Sequence, residues 1–143
     1  MKKIFLILIF STTLNIQSSD LKSLESFLIE NDMNDAAILE YMAKRCSASN
    51  LAMTRWTTEG DGAYEVAFEN YMDWYMTANM LRGVKFPNQD KEVAAKNIID
   101  SIVVMTDEID GIMKYSQDIR GSIWEGNFLI DDLMICKNLK EDQ

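Results

Sequence analysis

The chain has 143 residues, 48% of them hydrophobic, and sets 14 Lys and Arg against 23 Asp and Glu for a net charge of −9. That balance excludes nucleic acid and anionic lipid surfaces as partners, because the attraction to phosphate that dominates such binding has the wrong sign. Histidine is absent, which removes histidine-activated serine and cysteine nucleophiles, histidine-containing zinc and haem sites, and the Glu-x-x-His pairs of diiron bundles.

Residues 1–19 read as a signal peptide ahead of a single helical domain over residues 20–143. MKK is a basic opening, IFLILIF an apolar stretch extended by STTL, and NIQSSD a small, polar exit suited to cleavage after Ser18 or Ser19. The apolar run is too short to span a bilayer as a helix. The expectation is a periplasmic or secreted protein of about 124 residues, long enough for one modest core and with no stable membrane insertion after cleavage.

DLKSLESFLIEN, residues 20–31, predicts a short first helix capped by Ser19 or Asp20, with Leu21, Leu24, Phe27 and Leu28 on one side. The next segment predicts a long helix capped by Asn34 or Asp35. Its seam holds Leu39, Met42, Cys46, Ser49, Met53 and Trp56 at spacings of three and four, and TTEGDG ends it. A second long helix begins near Asp61 and is expected to stop at Gly83. Its stripe of Tyr64, Ala67, Phe68, Tyr71, Trp74, Tyr75, Ala78 and Leu81 is wide enough to pack against two neighbours.

The only proline, Pro87, lies in a turn rather than a linker. From about Lys91 a third long helix puts Ile98, Ile102, Met105, Ile109, Ile112, Ser116 and Ile119 on one seam. Gly111 interrupts it at a cost of about 1 kcal/mol relative to alanine, explained either by a close helix crossing or by tolerance on an exposed face. RGSIWEGN loosens the chain, and a final short helix presents Leu129, Leu133 and Cys136 to the core.

Four helical segments with one apolar stripe each bury those stripes only against one another, so the fold is expected to be an all-α, up-and-down four-helix bundle with a short additional N-terminal helix. In an oxidising compartment two cysteines ninety residues apart read as one structural disulfide, Cys46 to Cys136. It closes a loop worth about 4 kcal/mol on a chain-entropy estimate and asks for the adjacency of first and last bundle helices that the pattern also favours.

The residues that carry chemistry are few. No Walker loop, dinucleotide fingerprint or calcium-loop pattern occurs, and no metal or cofactor is expected. Asp107 and Asp110 share a helix face and form a candidate carboxylate pair for hydrolysis or a hard cation, beside the plainer reading of a solvated acidic face. Asp131 and Asp132 read as polar surface. Arg45, Arg55, Arg82 and Arg120 read as makers of surface pairs. The aromatic run nominates Tyr71, Trp74, Tyr75 and Met76 as a candidate binding face, with the alternative that the same helix is the central packing element.

Taken whole, the sequence resembles the small exported all-helical bacterial proteins of uncharacterised function, in its leader, its methionine-rich helices and its one distant cysteine pair. The leading expectation is a non-enzymatic exported protein for interaction or structural support, with a protein partner. The runner-up is a carrier of a small apolar ligand with a pocket of Trp74, Tyr75, Met76, Met105 and Ile109. A hydrolase built on Asp107 and Asp110 comes third.

Overall fold

The computed structural model describes residues 21–141. The expected leader therefore lies outside the described residues. Five helices follow one another: α1 (Leu24–Glu30), α2 (Ala36–Trp56), α3 (Gly62–Lys85), α4 (Lys91–Arg120) and α5 (Leu129–Glu141). No helix among the described residues is long and apolar enough to cross a membrane.

The helix starts are set by side-chain caps that satisfy the orphan amides of the first turn. Ser23 caps α1, three positions later than expected from an Asp20 cap, and Asp35, Asp61 and Asp90 cap α2, α3 and α4 through their carboxylates. Helix α4 ends at Gly121, whose φ of 76° is the left-handed conformation that glycine adopts without a Cβ penalty. Gly83 does not end α3 as expected. The helix continues through it to Lys85 and closes when the Phe86 amide donates to the Arg82 carbonyl.

Helix α2 is the hub of the bundle. It packs most extensively on α3, then on α4, and its middle also meets α5, while α1 rests on α5. From Cys46 to Asn50 every residue is buried, so this stretch is enclosed all round rather than presenting the single seam read from its periodicity. The run CSASN is composed of small residues, which lets neighbouring backbones approach closely. Ser47 Oγ donates to the Tyr71 carbonyl of α3 at 3.0 Å, and Thr106 Oγ1 of α4 donates to Ile102 O at 2.8 Å while reaching Ala48 O at 3.4 Å. These contacts mark where α3 and α4 cross α2.

The core is made of Leu24, Met42, Ala43, Cys46, Ala48, Ala52, Trp74, Ala78, Ile98, Ile102, Ile109, Met113, Leu129 and Cys136. On α4 the buried line runs through Ile98, Ile102, Thr106, Ile109, Met113 and Ser116. Met105 and Ile112 are only partly covered, and Ile119 lies in solvent beyond the end of the packed surface. The buried line differs from the predicted seam because Thr106 takes an inward position, its hydroxyl satisfied by the Ile102 carbonyl and close to the Ala48 carbonyl of α2, which apolar periodicity does not reveal. Gly111 is exposed and a Cβ built there would meet nothing within 4 Å, so the close-crossing explanation for it is excluded.

Cys46 and Cys136 form the expected disulfide, joining α2 to α5 with their Cα atoms 5.6 Å apart. Both are fully buried. Beside this covalent link lies an ionic one. Arg45, the residue before Cys46, donates through a terminal guanidinium nitrogen to Asp132 Oδ2 at 2.7 Å, and Asp132 lies one helical turn before Cys136. The surface roles expected for both residues are corrected by their exposures of 1% and 0%.

Candidate functional site

The four residues of the candidate binding face are separated by the fold. Trp74 is buried in the core against α2, since it lies on the same side of α3 as Ala67 and Ala78. Tyr71 and Tyr75 are half-buried, with ring centroids 6.5 Å apart in a stacked arrangement. Burial raises the Tyr71 phenol above its ordinary value, and the neighbouring Tyr75 adds to the rise. Met76 alone of the four stands well out, with 65% of its surface exposed.

The solvent side of α3 nevertheless carries an apolar row, made of Phe68 and the methionines that accompany the aromatic residues along this helix and extended by Val84. Phe68, Met72, Met76, Met80 and Val84 recur every fourth residue and are all exposed, Met80 at 67% and Val84 at 72%. Residues four apart form a ridge inclined to the helix axis, so these five side chains cross the outer surface of α3 obliquely. Tyr64 stacks on Phe68 at the start of the row, with ring centroids 6.2 Å apart. The signal was present in the sequence as FENYMDWYMTANMLRGV. The sequence leaves open which side of α3 is covered, because its buried residues are Ala67, Trp74 and Ala78, and a helix whose small residues face inward inverts the usual size cue.

Next to this row, offset by three residues, Glu65, Glu69 and Asp73 form a parallel acidic row. All three are exposed. Lys140 of α5 reaches Asp73 and also donates to Asn70 Oδ1 at 3.0 Å, tying the two helices together. Among the described residues Glu65 and Glu69 make no ion pair.

The candidate carboxylates are brought together, but around a cation of the protein itself. A terminal nitrogen of Arg55 donates to Asp107 Oδ1 at 2.8 Å and lies 3.8 Å from Asp110 Oδ2. Trp56 Nε1 donates to Asp110 Oδ1 at 2.6 Å. The pair thus fastens the end of α2 to α4. Among the described residues no group of three or more carboxylate or cysteine side chains is placed to hold a metal ion.

The residues expected to line a ligand pocket are dispersed as well. Trp74 and Ile109 are sealed in the core, Met76 points outward, and Met105 lines an open depression with Leu21, Tyr41, Asp100, Ser101, Val104 and Glu108. A second open depression at the turn between α3 and α4 is lined by Arg82, Lys85, Phe86, Pro87, Asn88 and Gln89. Its arginine is already engaged, donating to Gln89 Oε1 at 2.9 Å and to the buried Glu40 at 3.3 Å.

No family model, no curated protein and no solved structure matches this chain. The molecule is a small all-helical bundle stapled by one disulfide.

Proposed function

We propose that the protein is an exported, non-enzymatic interaction module that engages a protein partner through the outer face of α3. The observation that carries this reading is the unbroken exposed row from Phe68 to Val84 on a helix whose opposite side is fixed in the core by Trp74 and Ala78. Scattered exposed apolar side chains are ordinary on a soluble surface, whereas a contiguous row has a hydration cost that a partner relieves. Methionine suits such a face because its unbranched thioether adapts to different partners.

Two further observations support the rest of the reading. The leader pattern of residues 1–19 and a disulfide between helices far apart in sequence both fit an oxidising compartment. The engagement of Asp107 and Asp110 by Arg55 and Trp56 fits a structural tie better than a pair of catalytic carboxylates.

A photo-crosslinking amino acid at position 76 in the native host tests the interface. The expected result is a discrete covalent adduct with one partner, lost when Met80→Gln and Val84→Gln are introduced together. Absence of an adduct, or one equally strong from position 134 on α5, overturns the reading. Intact mass of the same purified protein tests export, since it reads loss of the leader and two hydrogens fewer than the dithiol.

A further inference from the structure

The apolar and acidic rows on α3 run side by side, and their pairing defines the kind of partner this face accepts. Glu65 is three residues from Phe68, Glu69 three from Met72 and Asp73 three from Met76, so every apolar side chain in the first half of the row has a carboxylate beside it. Lys140 meets Asp73. Glu65 and Glu69 are exposed and unpaired among the described residues, leaving two uncompensated negative charges along the edge of an apolar strip.

We propose, building on the interaction reading above, that this face docks a cationic amphipathic helix. Its apolar side lies on the row of Phe68, Met72, Met76 and Met80, and its lysines or arginines lie along Glu65 and Glu69. The recognition mode is helix on helix, read by apolar anchors three and four residues apart. Methionine side chains supply the adaptable contact, and the carboxylates select by charge and speed the encounter. A second copy of this chain is the poorer occupant, since each copy carries a net charge of −9 and apposed outer faces of α3 bring acidic rows towards one another.

The test uses the full chain with its disulfide formed and a fluorescently labelled five-turn peptide of leucine and lysine patterned as an amphipathic helix. A matched peptide with glutamate for every lysine keeps the apolar side and reverses the charge. In a fluorescence-anisotropy titration the lysine peptide is expected to bind at least about tenfold more tightly than the glutamate peptide at low salt, with the difference shrinking as salt screens it. Met76→Gln with Met80→Gln is expected to weaken the lysine peptide about tenfold. Glu65→Gln with Glu69→Gln is expected to weaken it several-fold and to flatten its salt dependence. Asp100→Asn with Glu108→Gln on α4 should change nothing. All these positions are exposed, and circular dichroism verifies that each variant is folded.

Equal binding of both peptides, with the Met76 and Met80 changes still damaging, overturns the cationic partner while the interaction reading of α3 stands. Equal weakening by the α4 changes overturns the site as well, because attraction to any acidic surface then accounts for the binding. If neither peptide binds, and sedimentation shows a dimer that Met76→Gln dissolves, the occupant is a second copy and the proposal fails.

Discussion

Arg45 and Asp132 meet at 2.7 Å in a part of the core where neither retains appreciable contact with water. Asp132 also accepts the backbone amide of Leu24 at 2.7 Å, and Arg45 donates to the Lys22 carbonyl at 3.2 Å, so one ion pair joins α2, α5 and the start of α1. The pair is not fully satisfied. Arg45 Nε and its other terminal nitrogen are buried without a partner, and the guanidinium carbon lies 5.2 Å from the centre of the Phe128 ring. Burial pushes the Asp132 carboxyl above its ordinary value despite the opposing pull of the Leu24 amide and of Arg45.

Breaking this pair from one side leaves a buried charge alone, which costs about 3–5 kcal/mol in comparable sites. Asp132→Ala is therefore expected to lower stability by about that amount in urea unfolding. Arg45→Met combined with Asp132→Leu should recover most or all of the loss, since an apolar pair of similar volume avoids the desolvation of both ions. A double variant as unstable as the single one would show that the ion pair is itself a net source of stability.

The disulfide is expected to resist reduction for as long as the fold persists. Both sulfurs belong to fully buried residues, so a thiol reductant reaches them only when α5 or the whole bundle opens. The rate of reduction, followed by thiol labelling, should track the rate of unfolding rather than the reductant concentration once reductant is in excess. Replacing both cysteines by alanine should cost about 4 kcal/mol by the loop-closure estimate. Rapid reduction of the native protein with its helicity intact would contradict this account.

Tyr71 provides a pH prediction. Its folded pKa is raised, first by burial and then by Tyr75, so the folded protein holds that proton to higher pH than the unfolded chain does. The stability associated with Tyr71 is therefore fully present below the ordinary phenol value of about 10 and is lost as pH rises through the folded value. In a phenolate absorbance titration, the transition that disappears in Tyr71→Phe should be the one lying above the ordinary range. Tyr75→Phe should move the Tyr71 transition part of the way down.

Two glycines should respond in opposite directions. Gly111→Ala adds a methyl to open space in the interior of α4 and should raise stability by about 1 kcal/mol, through the loss of unfolded-state freedom and the better helix propensity. Gly126 has a φ of 72° and lies against the guanidinium of Arg120, so Gly126→Ala requires both a left-handed alanine and displacement of that side chain. A cost of about 1–2 kcal/mol is expected. Thermal unfolding of the two variants beside the parent protein reads both signs.

The helices and the sulfur pairing were legible because they leave local marks. Polar caps and apolar periodicity suffice to place α2, α3 and α4, and the apolar and cysteine positions of the last segment suffice to place α5 and its bridge to α2. Less legible was anything that depends on which side of a helix is covered. Alanine and serine are weak cues to burial in α2: the seam takes in Ser49, yet Ser47 and Ala48 beside it are just as enclosed. Trp74 and Met76 are two residues apart on an apolar helix, and only the position of α2 decides that the first goes inside and the second out. Asp132 looked like surface because a buried carboxylate becomes intelligible only when Arg45, far away in sequence, is beside it.

The enclosure of α2 also dictates the order in which the molecule comes apart. Amide hydrogens from Cys46 to Asn50 lie beneath neighbours on several sides, so deuterium should enter them last, at the rate of global opening. The seven-residue α1, short and resting on α5, should fill first. A gradient of that kind would make α2 an axle around which the outer helices breathe, leaving the exposed face of α3 room to adjust while its foundation stays still.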